Sequence, residues 1–524
     1  MTTTEPAYQR EVVQLGGHSR RRGLLAGRNL FEVAAGAGCV LIALVVALAT
    51  GTIDGLFVAL IILLIGWLMF TPFRALRGAS PAARIAHELR WRRRVRRGLT
   101  TFVPGQPAFR PGTATGKKAK ATSTQRDVPD AVGTVYPSTT RLLASGEEVL
   151  VLRHENPGQL TFSTVVVEVT PATHGLVSAM TEDTAYVNWG RFKAGLADDT
   201  SYVRGLQQIA RVQPVSLSAH EAWLARRVPE NTPQILIDSY RDLLNEMNFR
   251  SESHRTALVL RIPHTTRWDL FVHEQYPNEG SHGHALAAVA EAQRVMAQAE
   301  ASGLGRCRLM SEQEVAKAIR SCLDAHYSWD DPRPASLQDC WASWETSRRH
   351  LTVHGAANDW YLRTATLRGA DLPNHQIAIT WLRPLLAGVW PAVIRTIAVT
   401  EEITPAGAAR SAAAAAATDD AAALQRQRTV NDGSAMVQAS ASVQLLTDLR
   451  PGSGHHRDGW ALHVTVAAES PQQLRTACQR LDSVASNMLG AKWSWADGTH
   501  DTAIVATLPL ARGLRTRARK IASQ

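Results

Sequence analysis

Lysine is scarce in these 524 residues, cysteine is nearly absent, and the common catalytic signatures are missing. The five cysteines are Cys39, Cys307, Cys322, Cys340 and Cys478, and none forms a CxxC pair. That excludes a disulfide framework or a cysteine-held zinc, and it fits a reducing compartment. There is no GxSxG, no HExxH and no GxGxxG after a strand. The nearest approach to a phosphate loop is GTATGKK, Gly112–Lys118. Pro111 stands where the first glycine must be, and Lys118 where Ser or Thr must follow the lysine, so a nucleotide-hydrolysing motor is excluded. With lysine scarce, the Ala- and Arg-rich composition is that of a high-GC bacterial genome.

Pairs of polar residues offer little more. His282 and His284 in GSHGH lack a clear third ligand, and His455 and His456 lie in a turn-like PGSGHHRDG. Asp330 and Asp331 precede Pro332 as a turn, and Glu401 and Glu402 end a strand on its solvent side. The sequence therefore predicts no catalytic, cofactor-binding or metal-binding residue, and no enzyme.

The net charge of +11 is unevenly placed. Through Arg97 there are fourteen arginines, no lysine and five acids, a surplus of nine, so the remaining 427 residues carry only +2. A surplus confined to one end suits anionic lipid headgroups rather than a DNA-binding face.

That basic end flanks two apolar runs. Phe31–Thr50 (FEVAAGAGCVLIALVVALAT) and Leu56–Phe70 (LFVALIILLIGWLMF) are separated by GTIDG. With their flanks, each reaches about the 20 residues a membrane-crossing helix needs. The expectation is a transmembrane hairpin. Arg10, Arg20, Arg21, Arg22 and Arg28 precede it, and Arg74 and Arg77 follow, then Arg84, Arg90, Arg92, Arg93, Arg94, Arg96 and Arg97. The turn carries only Asp54, so both ends are expected in the cytoplasm. A buried hairpin of a water-soluble core would not need such flanks, and no small-residue site marks a cleaved signal peptide. Pro81–Arg97 fits either an interfacial helix with Trp91 near the headgroups or an arginine flank without regular structure. Arg74, Arg77, Trp91, Arg92, Arg93 and Arg94 are the candidate anchoring and orienting residues.

Residues 1–30 read as a basic tail, 31–73 as the hairpin, 74–100 as the juxtamembrane segment and 101–136 as a Pro- and Gly-containing linker. Residues 137–330 and 372–524 read as two αβ domains joined by a polar connection, 331–371, in which Trp341, Trp344 and Trp360 are edge anchors. Glu148–Arg153, Phe162–Thr170, Leu206–Val215, Arg255–Ile262, Leu304–Met310, Gln376–Trp381, Trp390–Glu402 and Ala461–Ala468 predict strands. Thr184–Ala197, Pro233–Met247, His284–Ala301, Glu312–Ala325, Ala406–Gln427, Ser434–Arg450 and Pro471–Met488 predict helices. Lys492–Trp495 and Ala503–Leu508 predict closing strands. The fold class is α/β (α+β): an N-terminal two-helix transmembrane hairpin followed by ferredoxin-like αβ cytoplasmic domains.

Three stretches carry a resemblance: the paired apolar runs, the block FSTVVVEVTPATHGLVSAM with YVNWGRFKAGLA, and the closing ATLPLARGL, Ala506–Leu514. They resemble actinobacterial two-span membrane proteins of conjugative elements, a PrgI-like hairpin fused to the N-terminal, non-ATPase part of the type IV secretion ATPase. The resemblance implies a non-enzymatic, oligomeric component of a DNA-transfer or secretion channel at the cell membrane. It would dock a separate secretion ATPase and other channel subunits, with the lipid bilayer as its other partner and no direct nucleic-acid contact. An EccE-like subunit of a type VII system and a membrane-tethered enzyme are the alternatives.

Overall fold

The computed structural model describes residues 12–14, 30–70, 80–105, 128–142, 146–172, 177–215, 218–229, 231–250, 252–369, 372, 376–387, 389, 392–426, 434–451, 453, 456 and 458–514. The five arginines of the N-terminal tail, Arg74, Arg77, most of the linker and His455 lie outside these residues. The chain divides into two units, of which residues 18–100 with 107–124 form one.

A short strand β1 (Val12–Gln14) belongs to the larger unit. The smaller unit holds α1 (Leu30–Thr50), α2 (Ile53–Phe70) and α3 (Pro81–Arg96). Gly51, at φ 56°, makes the turn between α1 and α2. The two helices approach closely where a Cβ on Gly66 would lie 3.0 Å from Cys39 Cβ, and Ala43 and Ala59 are buried.

The expected transmembrane hairpin is overturned: among the described residues no helix is long and apolar enough to cross a membrane. The physical reason is length. In α1, Glu32 lies in the first turn, and the uncharged Val33–Thr50 at 1.5 Å per residue reaches about 27 Å. In α2, Asp54 and Gly55 occupy the first turn, and Leu56–Phe70 reaches about 22 Å. Both fall short of the ~30 Å hydrocarbon core. The pair still exposes much apolar surface: Leu41, Leu48, Leu56 and Leu60 are all more than 60% exposed.

The larger unit is built on one antiparallel sheet. β2 (Thr101–Phe102) starts one edge. The first half runs β3 (Thr134–Arg141), β4 (Glu148–Glu155), β5 (Phe162–Pro171), α4 (Ala179–Leu196) and β6 (Gly205–Pro214). It continues α5 (Ser218–Arg227), α6 (Gln234–Arg250), β7 (Glu252–Pro263), α7 (Thr266–Gln275), α8 (Gly280–Ala301), β8 (Gly305–Leu309) and α9 (Glu312–Leu323). The second half runs β9 (Ser343–Thr346), β10 (Leu351–His354), β11 (Asp359–Arg368), β12 (Gln376–Ala378), α10 (Arg383–Ala387) and β13 (Ile394–Ile403). It ends α11 (Ala406–Arg426), α12 (Ser434–Asp448), β14 (Asp458–Ala468), α13 (Pro471–Leu489), β15 (Ser494–Trp495) and α14 (His500–Ile504).

The thirteen-stranded sheet has the order β2-β9-β10-β11-β14-β13-β6-β7-β5-β4-β3, with β15 beside β11 and β8 beside β5. β1 pairs with β12 separately. The order contains a repetition. In the first half β5, α4 and β6 form a split βαβ unit with β7 inserted between its strands, and β8 flanks β5. In the second half β11, α10 and β13 do the same with β14 and β15. Each half places a helical pair, α5–α6 or α11–α12, between its second and third strands. β6 and β13 pair antiparallel, Ile209 opposite Ala398, and so fuse the halves into one sheet. The sheet thus runs through both segments that composition divides at 331–371.

Apolar residues on both faces make these strands continuous apolar runs. On one face, α4, α7 and α8 cover β4–β7 in the first half, with Phe192, Trp268, Ala288 and Val295 buried. α10 and α13 cover β11, β13 and β14 in the second, around Leu385, Leu474 and Leu481. The other face carries α9, Trp329–Trp344 and the closing segment, with Ile319, Trp341, Trp344 and Leu508 buried together. The helix α9 begins at a capping box between Ser311 and Glu314, and Val315, Ile319 and Leu323 face inward.

The expected closing strand Ala503–Leu508 is instead the end of α14 and a 3-10 turn, Val505–Thr507. The sheet face below it is tied by side chains. Gln207 Nε2 donates to Ala506 O (2.8 Å), and Ala511 N donates to Gln207 Oε1 (2.7 Å). Thr400 Oγ1 donates to Arg512 O, while Arg512 reaches Val132 O and His154.

Candidate functional site

Three ligand-type residues converge on the α4–α8 face of the first half. His264 follows β7, Asp269 lies in the first turn of α7, and His284 begins the second turn of α8. Their ligand atoms all lie within 4.8 Å of one another, and no other such group occurs among the described residues. Local sequence explains the placement. Pro263 ends β7, and His264 N donates to Thr161 O (2.8 Å). Thr265 then caps α7, its hydroxyl accepting from Trp268 N. Gly283 lets α8 approach α7, since a Cβ there would lie 3.3 Å from Val272 Cγ1.

The two imidazoles stack, with centroids 4.5 Å apart and planes 9° from parallel. Each ring is held by a second residue. Ser163 Oγ lies 2.8 Å from His264 Nε2, and the fully buried Trp268 donates its indole N–H to His284 Nδ1 (3.0 Å). Burial, then the neighbouring His284 and Arg153, push the His264 pKa down to about 3. Burial also lowers the His284 pKa; the Asp269 carboxylate opposes that shift and Arg153 adds to it. Both rings are therefore neutral at pH 7, and each keeps a nitrogen lone pair.

Of the residues singled out from sequence, Trp91, Arg92, Arg93 and Arg94 lie on α3, where Arg92 pairs with Glu88 at 3.0 Å. Arg74 and Arg77 lie outside the described residues. His282 and His284 sit in the first two turns of α8 rather than in a loop, and only His284 turns into the cluster. Asp331 pairs with Arg333 and Asp330 with Arg255. Glu401 is buried and paired with Lys193 at 2.9 Å, not solvent-facing. Sequence reasoning missed His264 and Asp269. Their one signal is the run IPHTTRWD, where a strand ends in proline and a capped helix begins.

No protein-family model matches the chain, and no curated protein matches it.

Proposed function

We propose that this chain is a non-enzymatic, membrane-associated scaffold, and that it serves a secretion or DNA-transfer apparatus. One observation carries the membrane part: a helical pair with most of its large apolar side chains exposed, followed by a helix dense in arginine. Such a surface is costly in water, at roughly 25 cal/mol for each Å² of apolar area left uncovered. Acyl chains are the occupant that matches it, because the arginines of α3 complement anionic headgroups. A pair whose uncharged runs reach about 22–27 Å enters the bilayer from one side without crossing its ~30 Å core. The arginine surplus supports the cytoplasmic side as the one entered.

The scaffold part rests on the larger unit. Its sheet ends in β2 and β3, and α6 exposes Ile235, Leu236 and Leu243, a surface of the kind that receives partner helices. The secretion context rests on the resemblance of the apolar pair, the FSTVVVEVT block and ATLPLARGL to conjugation membrane proteins. Purification of the full chain from its host in mild detergent tests the reading. The expected result is recovery from the membrane fraction with an ATP-hydrolysing partner. Recovery alone, from the aqueous fraction, would refute it.

A further inference from the structure

We propose that His264, Asp269 and His284 bind a divalent transition metal, zinc by donor chemistry, with a solvent-facing fourth position. The inference is independent of the scaffold reading. Two imidazoles and a carboxylate form a donor set that zinc takes in three-ligand sites. Ligand atoms around a tetrahedral zinc lie about 3.3 Å apart, given metal–ligand bonds near 2.0–2.1 Å. The observed separations, within 4.8 Å, must close, and because the two ring planes lie only 9° from parallel one imidazole must also turn for both lone pairs to meet the metal. Asp269 is exposed and can swing inward, while the two histidines are partly buried and held.

The supporting hydrogen bonds decide which nitrogens would ligate. If His264 Nε2–H donates to Ser163 Oγ, the Nδ1 lone pair is left for the metal, with the ring oriented as outer-shell partners orient metal-bound histidines. His284 differs, because its Nδ1 accepts from Trp268, so its Nε2 carries the proton in the neutral ring. A metal must then take Nδ1 and displace the indole N–H. Arg153 repels positive charge at both rings, and the Asp269 carboxylate opposes it at His284.

The test is zinc titration of the metal-free, untagged full chain by calorimetry, with circular dichroism to confirm that each variant folds. Wild type and His282→Ala should bind one zinc with equal affinity. Asp269→Ala, at an exposed position that should not disturb folding, should bind at least about tenfold more weakly, since a direct ligand matters no less than an outer-shell partner. His264→Ala and His284→Ala should lose binding. Trp268→Phe should bind at least as tightly as wild type and lack the tryptophan emission change that accompanies loading. Absence of one-to-one binding, or equal affinity in wild type, Asp269→Ala and His284→Ala, would overturn the proposal.

Discussion

Replacing Arg395 by methionine should destabilise the larger unit by about 3–5 kcal/mol, the range found when one member of a buried ion pair is removed. The side chain is fully buried on β13. Its guanidinium donates to both Glu252 oxygens (2.8 and 3.0 Å) and to the carbonyls of Leu385, Leu386 and Val393. Glu252 opens β7 and Leu385 lies in α10, so one side chain ties the first half of the sheet to the second. Burial alone would raise the Glu252 pKa, but hydrogen bonds from His254 and Arg395 outweigh it and hold the carboxylate below its ordinary range. Methionine would strand that carboxylate and three carbonyls. The unit comprises 423 residues, for which unfolding entropy is about 0.9 kcal/mol/K. A loss of ~4 kcal/mol therefore lowers Tm by about 5 °C. Adding Glu252→Met should recover part of the loss, because the unpaired charge is then gone. Thermal melts of both singles and the double mutant give the coupling directly. A Tm within 1 °C of wild type for Arg395→Met, or strict additivity in the double, would refute the argument.

Other perturbations have definite signs. His463 is buried, its Nδ1 is 3.0 Å from Thr366 Oγ1, and burial, helped by Arg368 and opposed by a Gly513 backbone hydrogen bond, lowers its pKa from 6.5 to about 4. The folded state thus disfavours protonation. Its contribution is fully present above pH 6.5 and is lost as pH falls to about 4, roughly 3 kcal/mol in all. Urea unfolding of His463→Gln should show a shallower stability loss across that window than wild type; identical slopes would count against this. Gly305→Ala should cost about 3 kcal/mol, because φ is 122° and the new Cβ would lie 2.1 Å from Thr170 O, where β8 joins β5. Denaturation midpoints check it, and an unchanged midpoint would contradict the geometry. Burial raises the thiol pKa of Cys307 to about 11 and of Cys478 to about 12, and raises those of Cys322 and Cys340 as well. Mass mapping after alkylation at pH 8 should find Cys307 labelled slowly and the other three labelled only in urea.

Long periodic elements were legible in the sequence. The helix predicted over Glu312–Ala325 forms as α9, with its apolar residues inward, and Ser470 caps α13 with Pro471 behind it. Short and polar elements were not. β9, β10 and β11 lie inside or beside the stretch that reads as a polar connection, because Asp359, Arg363 and Arg368 interrupt the apolar alternation of β11. Trp341, Trp344 and Trp360 are core residues there, not edge anchors. The closing segment alternates like a strand, yet the sheet face is already covered edge to edge by its own strands. Its chain instead turns over the sheet face, where Ala506 O accepts from Gln207 and the Thr507 hydroxyl meets Thr465 Oγ1. The apolar pair shows the opposite failure. Hydropathy averages over Glu32 and Asp54, whereas crossing a bilayer depends on unbroken length. Of the histidine–aspartate cluster only His284 stood out in the sequence, since His264 and His284 sit on different elements and are brought together by the α7–α8 turn.

The most direct measurement of the central claim is flotation of the full chain with vesicles containing anionic lipid, at low and high salt. The account predicts that the chain floats with the vesicles and that 1 M salt does not release it, because acyl-chain contact by Leu41, Leu48, Leu56 and Leu60 survives screening. A chain that stays monodisperse in the aqueous layer without detergent, at either salt, would contradict the account.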